Sequence, residues 1–139
     1  MASRRKGRIL AFQALYAWEI SGSAPVDSFP RDSESSEADD TETPDFTRLL
    51  VAGTIENIKK IDAMIRKHLE NWDFSRLNRV DLAVLRISVY ALMFQNDTAP
   101  SIVINEAISI SKEFGTDDSY RFVNGVLDAI RKTLAGIEK

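Results

Sequence analysis

Residues 100–134, PSIVINEAISISKEFGTDDSYRFVNGVLDAIRKTL, contain two helical patterns that meet at an acidic corner. In the first pattern, apolar residues recur at the three- and four-residue spacing that places them on one helix face: Val103, Ala107, Ile110 and Phe114. In the second pattern the spacing is four throughout: Phe122, Val126, Ile130 and Leu134. The stretch therefore predicts two packed helices joined by a short turn.

The turn between these helices carries its own signals. Pro100 suits the first turn of a helix, and Gly115 suits the left-handed position just past a helix end. We expect residues 116–118, which are Thr-Asp-Asp, to cap the second helix and to interact with the positive end of its dipole. Because Tyr120 and Arg121 follow directly, the corner is also a candidate binding site.

Composition limits the classes of function. With 139 residues, 44% of them hydrophobic and 28% charged, the chain is expected to form one domain spanning residues 1–139. It has no cysteine, which excludes disulfides and thiolate chemistry, and its single histidine, His68, makes a metal site unexpected. No apolar run approaches the ~20 residues that span a bilayer, and the start lacks the pattern of a signal peptide. We therefore expect a cytoplasmic protein that binds no membrane and has no cofactor.

An acidic segment separates the first helical pattern from the rest of the chain. Residues 22–44 are rich in Ser, Asp, Glu and Pro and poor in apolar side chains, so we expect a disordered loop. Residues 27–45 contain eight acidic residues and one basic residue, whereas the whole chain has a net charge of −3. The remainder therefore carries a net charge of +4, which is compatible with an anionic partner.

Three further helical regions precede the opening stretch. Residues 4–20 predict a helix with Ile9, Phe12, Tyr16 and Ile20 on one side, and residues 45–69 predict one long helix of about seven turns. A short apolar connector contains Trp72, Phe74 and Leu77. Residues 78–95 are apolar nearly all round, which is typical of a helix at the centre of a bundle. No sustained alternation predicts a strand, so we expect an all-α protein with five major helices.

Basic residues crowd the start of the first helix: Arg4, Arg5, Lys6 and Arg8. Positive charge there opposes the helix dipole, so helix stability does not explain it. An anionic partner or a frayed, solvated terminus would explain it. Cations, a guanidinium, aromatic rings and carboxylates together are the groups that hold single-stranded RNA, and the basic start and the corner supply all of them. No phosphate-binding loop or nucleophile elbow is present, so we do not expect an enzyme.

Three segments resemble the NusB family of bacterial transcription antitermination factors: SRRKGRILAFQALYAWE (3–19), LNRVDLAVLRISVYAL (77–92) and VINEAISISKEFGTDDSYRFVNGVLDAI (103–130). The resemblance implies a fold of two small packed helical bundles without catalytic activity. It further implies a complex with the small-subunit ribosomal protein NusE that binds boxA RNA and supports antitermination in ribosomal RNA operons, within the transcription elongation complex. A homodimer remains open, as do two rival functions: a protein–protein scaffold without RNA contact and an RNA-modifying enzyme.

The resemblance also implies roles for particular residues. The RNA-binding set comprises Arg4, Arg5, Lys6, Arg8, Gln13, Tyr16, Asp118, Tyr120, Arg121 and Phe122. Asp81 and Tyr90, on the central helix, match the partner-facing surface of the family. Whether the aromatic residues of the corner stack on RNA or pack in the core is not decided by the sequence.

Overall fold

A computed structural model describes residues 3–22, 42–69, 73–95 and 98–136. These residues form six α-helices and one turn of 3₁₀ helix at Phe74–Arg76. The α-helices are α1 (Ser3–Ser21), α2 (Glu42–Glu56), α3 (Ile58–Lys67), α4 (Arg79–Phe94), α5 (Pro100–Phe114) and α6 (Ser119–Leu134). No strand occurs in the described ranges, which confirms the all-α prediction. Most of the predicted acidic loop (22–44) and Trp72 of the connector lie outside these ranges.

The central helix of the fold is α4, as its nearly continuous apolar sequence predicted. Its side chains from Asp81 to Ala91 are all buried. It packs against α1, α2 and α3 on one side and against α5 and α6 on the other, which gives two small bundles that share one core. Asn78 caps its start, since the Asn78 side-chain oxygen accepts hydrogen bonds from the backbone N–H groups of Val80 and Asp81 at 2.8 and 3.3 Å.

The long helix predicted for residues 45–69 is wrong, because two helices, α2 and α3, meet at Asn57. The backbone of Asn57 departs from helical geometry (φ −110°, ψ 22°), and its side-chain amide donates to the Gly53 carbonyl at 2.9 Å. The Asn57 backbone N–H also donates to the Gly53 carbonyl, at 3.1 Å, so the side chain shares this acceptor with the backbone ladder. A period of apolar residues does not reveal such a break, because the apolar face continues across it at Ile61 and Ile65.

The corner between α5 and α6 is present, but the structure corrects its expected chemistry. Gly115 is extended (φ −97°, ψ −165°) rather than left-handed. Asp118 occupies the N-cap position, yet its side chain makes no capping hydrogen bond. The Ser119 hydroxyl instead accepts from the Thr116 backbone N–H at 2.9 Å. A β-carbon on Gly115 would lie 2.5 Å from that hydroxyl oxygen, so glycine is needed here for space rather than for a positive φ.

A buried charge network joins α1, α3 and α4. The Arg86 guanidinium, on α4, donates from Nε and Nη2 to both carboxylate oxygens of Asp62 at 2.9 and 2.8 Å, and from Nη1 to Glu19 at 2.8 Å. Burial alone would lower the pKa of Arg86, but its hydrogen bonds to Asp62 and Glu19 raise it above the usual value. Arg86 therefore remains charged and links three helices that are distant in sequence.

The only histidine has a structural role. His68 follows α3, and its Nδ1 and Nε2 atoms lie 2.9 Å from the Met64 carbonyl oxygen and 2.7 Å from the Thr133 hydroxyl. Both ring nitrogens therefore have partners, as expected for a satisfied imidazole. Within the described ranges, no group of histidine, aspartate and glutamate side chains is arranged to hold a metal ion, and no helix is long and apolar enough to cross a bilayer.

Candidate nucleic-acid interface

One face of α1 stays uncovered by the bundle and carries several of the predicted RNA-binding residues. Gln13 and Tyr16 are exposed, whereas Phe12 and Leu15, on the adjacent side of the helix, are buried. The side predicted from the apolar spacing is thus only partly in the core, since Tyr16 is 38% and Ile20 62% exposed. Arg5 is eight residues before Gln13, and Tyr16 is three residues after it, so these side chains lie near one another along the helix. The surface of α1 thus combines a cation, an amide and an aromatic ring.

The four predicted cations do not form one uniform patch. Lys6 is exposed and Arg5 is partly exposed, while the side chain of Arg4 lies outside the described residues. Arg8 is only 8% exposed, and its guanidinium carbon lies 5.5 Å from the centre of the Phe46 ring on α2. The surface cations of this segment are therefore drawn from its first turn, and Arg8 belongs to the contact between α1 and α2.

Two contacts hold the start of α1 against the end of α5. The Arg5 Nη2 atom donates to Glu113 at 2.8 Å, and the rings of Phe12 and Phe114 lie 5.2 Å apart. Since α5 ends at the corner that begins α6, these contacts bring the basic segment and the corner to the same side of the molecule. The two parts of the predicted RNA site, about a hundred residues apart in sequence, are thus neighbours in the fold.

The corner presents an aromatic ring between two cations. The Lys112 ammonium lies 4.8 Å from the centre of the Tyr120 ring, and the Arg121 guanidinium carbon lies 5.5 Å from it. The Tyr120 hydroxyl accepts from Arg121 Nε at 3.2 Å, and this hydrogen bond raises the pKa of Arg121. Asp118 is 88% exposed, and its carboxylate is 4.0 Å from Arg121. Phe122 is half-buried and packs against the core, with part of its ring still at the surface.

Sequence reasoning missed the contribution of α5 to this face. Lys112 contacts Tyr120, and Glu113 contacts Arg5, so α5 connects the corner to the basic segment. The signal in the sequence was a polar stripe at helical spacing that runs from Asn105 through Ser109 to Lys112. It was overlooked because the apolar stripe of the same helix accounted for the helix by itself.

The two predicted partner-facing residues are largely buried. Asp81 is 7% exposed; burial raises the pKa of its carboxyl, which a hydrogen bond to the Ser119 side chain partly opposes. Tyr90 is 8% exposed, and its ring lies 5.4 Å from that of Phe94, which is 40% exposed. A β-carbon on Gly53 would lie within 2.6 Å of three atoms of the Tyr90 side chain, so only glycine admits the ring at this point of α2. Tyr90 therefore supports an exposed aromatic side chain from beneath.

The face formed by α1, α5 and the corner is suited to binding. It combines exposed cations with an aromatic ring and an exposed carboxylate, which are the groups that hold the phosphates and bases of single-stranded nucleic acid.

Comparisons with known proteins agree with this description. The sequence profile of the NusB family matches residues 5–132. The transcription antitermination protein NusB of Treponema denticola is 54% identical over 131 residues, which cover 92% of this chain and 95% of that protein. The structure of T. maritima NusB superposes with a TM-score of 0.81 at 34% identity, covering 93% of this chain and 90% of that one. A structure of the antitermination factors NusB and NusE with double-stranded RNA superposes with a TM-score of 0.80 at 27% identity, covering 96% and 98%.

Proposed function

The chain belongs to the NusB family, and from that premise we propose that it binds single-stranded boxA-type RNA together with ribosomal protein NusE. In this role it supports transcription antitermination in ribosomal RNA operons, as part of the transcription elongation complex in the cytoplasm, and it catalyses no reaction. One observation carries the proposal. The contact between Arg5 and Glu113 and the packing of Phe12 on Phe114 bring the basic segment and the corner to a single face.

The proposed RNA contacts follow from the chemistry of each side chain. Arg4, Arg5 and Lys6 neutralise phosphates, and Arg8 adds positive potential from beneath the surface. Gln13 donates and accepts hydrogen bonds, whereas Tyr16 offers a ring for stacking. At the corner, Tyr120 and Phe122 stack on bases, Arg121 contacts phosphate or a base plane, and Asp118 accepts hydrogen bonds from exocyclic amines.

An apolar patch where the C-terminal end of α4 meets α2 is suited to a protein partner. Phe94 stacks on Tyr90, and Tyr90 packs on Gly53 of α2. Leu49, which is exposed, lies one helical turn before Gly53 and so on the same face of α2. We name Leu49, Gly53, Tyr90 and Phe94 the α2–α4 patch, and we propose that NusE covers it. We also propose that Asp81 contributes to the partner contact, because one of its carboxylate oxygens has no hydrogen-bond partner among the described residues.

The proposed function is tested by measuring RNA binding with and without NusE. We expect the protein alone to bind boxA-type RNA weakly, and the complex with NusE to bind it more tightly than a scrambled RNA of the same length. Both parts of the surface then contribute to one assembly. Equal affinity for both RNAs would show that the complex has no preference for the boxA sequence. Absence of RNA binding while NusE is bound would favour a protein–protein scaffold.

The α2–α4 patch gives a prediction about the partner. Phe94→Ala is expected to weaken NusE binding by about 1–2 kcal/mol, roughly 5–30-fold, because aromatic anchors dominate protein interfaces. The affinity is measured by calorimetry without RNA. Ile20→Ala is the matched control, since Ile20 is an apolar residue that is 62% exposed. It lies away from the patch, because the neighbouring Glu19 pairs with Arg79 at the opposite end of α4. Equal losses in both variants would place NusE elsewhere.

The basic segment gives a prediction about salt. Each phosphate contact on a single strand changes the slope of log affinity against log salt by roughly −0.7. The double variant with Arg5→Ala and Lys6→Ala is therefore expected to flatten the slope by about one unit or more without lowering the melting temperature. The double variant with Lys59→Ala and Lys60→Ala, both exposed on α3, serves as the control. An unchanged slope would identify the segment as a solvated helix end.

A further inference from the structure

An open groove runs between the start of α1 and the outer face of α5. Its volume is about 570 Å³, and it is wide open to solvent. The lining residues are Arg5, Asn105, Ile108, Ser109, Lys112 and Glu113. Five of the six come from α5 at intervals of three and four residues, so they form one continuous stripe on that helix. The groove is therefore formed mainly by one face of α5, and no loop residue of the described ranges lines it.

The guanidinium of Arg5 has an unused donor at this groove. Its Nη2 atom donates to Glu113 at 2.8 Å, whereas Nη1 is buried and has no acceptor in the described part of the chain. A buried donor without an acceptor is unfavourable, and such atoms mark places where a ligand, ion or water completes the site. Glu113 thus fixes the orientation of Arg5 and leaves one arm of its fork without an acceptor in the described ranges.

The other polar groups of the stripe are available as well. The Lys112 ammonium rests over the Tyr120 ring and forms no ion pair with a carboxylate in the described ranges. The amide of Asn105 and the hydroxyl of Ser109 make no side-chain hydrogen bond to the described residues. The groove therefore offers two cationic donors at one end and neutral donors and acceptors at the other. A nucleotide has the matching arrangement, an anionic phosphate next to a base edge that donates and accepts hydrogen bonds.

We propose that this groove binds one nucleotide of the RNA, with its phosphate against the Arg5 guanidinium and Lys112 Nζ and its base edge against Asn105 and Ser109. The proposal rests on the proposed function and extends it. It adds α5 to the RNA path, so that the strand runs from the basic segment across α5 to Tyr120. Asn105 then contributes to base preference, because a side-chain amide distinguishes bases by their donors and acceptors.

The first test compares α5 variants in the complete assembly with NusE and boxA-type RNA. Lys112→Ala is expected to weaken RNA binding about fivefold and to flatten the salt slope by roughly 0.7, the contribution of one phosphate. Asn105→Ala is expected to weaken binding several-fold at every salt concentration, because it removes a neutral contact. With an RNA that lacks a base at the contacted nucleotide, Asn105→Ala should cause no further loss. Lys59→Ala, on α3, is the control for a general effect of charge.

The second test uses the absence of cysteine from the chain. The thiol introduced by Ser109→Cys lies in the groove, and the thiol introduced by Ser75→Cys lies in the exposed 3₁₀ turn. We expect boxA-type RNA to slow alkylation of the first thiol at least fivefold and to leave the second unchanged. Asn105→Cys, at an exposed position, replaces Ser109→Cys if the latter variant does not fold.

The outcomes separate this inference from the function on which it rests. The inference is overturned if the complex binds RNA while the thiol in the groove stays unprotected and Lys112→Ala keeps its affinity. The proposed function would then still stand. Protection by NusE alone would identify the groove as a protein contact, which also overturns it. If the unmodified protein with NusE binds no RNA, the proposed function fails, and the inference fails with it.

Discussion

Replacing Arg86 with alanine is expected to lower the free energy of unfolding by about 3–5 kcal/mol, because one partner of a buried ion pair is removed. The Arg86 side chain is only 7% exposed, and it satisfies the carboxylates of Asp62 and Glu19 together. Without it, the partly buried Asp62 carboxylate loses its ion pair, and Glu19 keeps only its longer contact with Arg79 at 3.4 Å. Chemical denaturation monitored by circular dichroism measures the change directly.

A surface ion pair provides the control for Arg86. Arg131 bridges Asp128 within α6 at 2.8 Å, but both side chains are more than a third exposed. Arg131→Ala is therefore expected to change the free energy of unfolding by less than about 1 kcal/mol, the usual limit for exposed pairs. If Arg86→Ala lowers the free energy of unfolding as little as Arg131→Ala does, the structural role of the network is contradicted. A further variant, Asp62→Asn, should lose less than Arg86→Ala, because Glu19 still neutralises the guanidinium.

Truncating Phe122 is the second change with a large expected effect, because this side chain serves both the core and the proposed RNA face. Phe122→Ala is expected to weaken RNA binding by about 1–3 kcal/mol, the typical contribution of one stacked base. It should also destabilise the fold by less than the ~3–5 kcal/mol of a fully buried phenylalanine, since the ring is only half-buried. Binding must therefore be measured well below the melting temperature of the variant.

Phe122→Leu separates the two roles. Leucine keeps the apolar contact with the core, so the melting temperature should stay near that of the unmodified protein, but it has no ring to stack on a base. We expect its RNA affinity to fall nearly as far as that of the alanine variant. Undiminished RNA binding by Phe122→Leu would assign the ring to packing alone.

Asp118→Asn completes the comparison at the corner. Its side chain caps no helix amide, so the substitution should leave stability unchanged, while RNA affinity should change because the acceptor-only carboxylate is replaced by an amide that also donates.

The sequence predicted those parts of the fold that depend on one helix at a time. The apolar period located α1 and α4 to within one residue at each end, and it predicted the pair α5 and α6 within residues 100–134, because burial of one face is a property of consecutive turns. The charge pattern identified the basic segment because cations at a helix start have no local benefit. The nearly uniform apolar sequence of residues 78–95 likewise predicted the central position of α4.

Features that depend on contacts between distant segments were not predictable in this way. At the break, the Asn57 side chain donates a hydrogen bond to the Gly53 carbonyl. The apolar period continues across this point, so the sequence pattern does not show the break. The burial of Arg8 follows from the position of Phe46, nearly forty residues later. The groove exists because Arg5 meets Glu113, and no local pattern at either residue indicates the other. The proposed RNA-binding face was therefore predicted as two separate pieces, and the helix between them was overlooked.

The contacts of α1 have a consequence for synthesis of the protein. Glu19 finds its partner at residue 86, 67 residues later, and Arg5 finds its partner at residue 113, 108 residues later. Because synthesis proceeds from the N-terminus, α1 leaves the ribosome before α4 and α5 and cannot complete these contacts until residue 113 has been made. Until then Phe12 lacks the Phe114 ring that packs against it, and incompletely covered apolar side chains are the sites at which nascent chains associate with chaperones or with each other. A partly synthesised chain thus cannot present the assembled face to RNA.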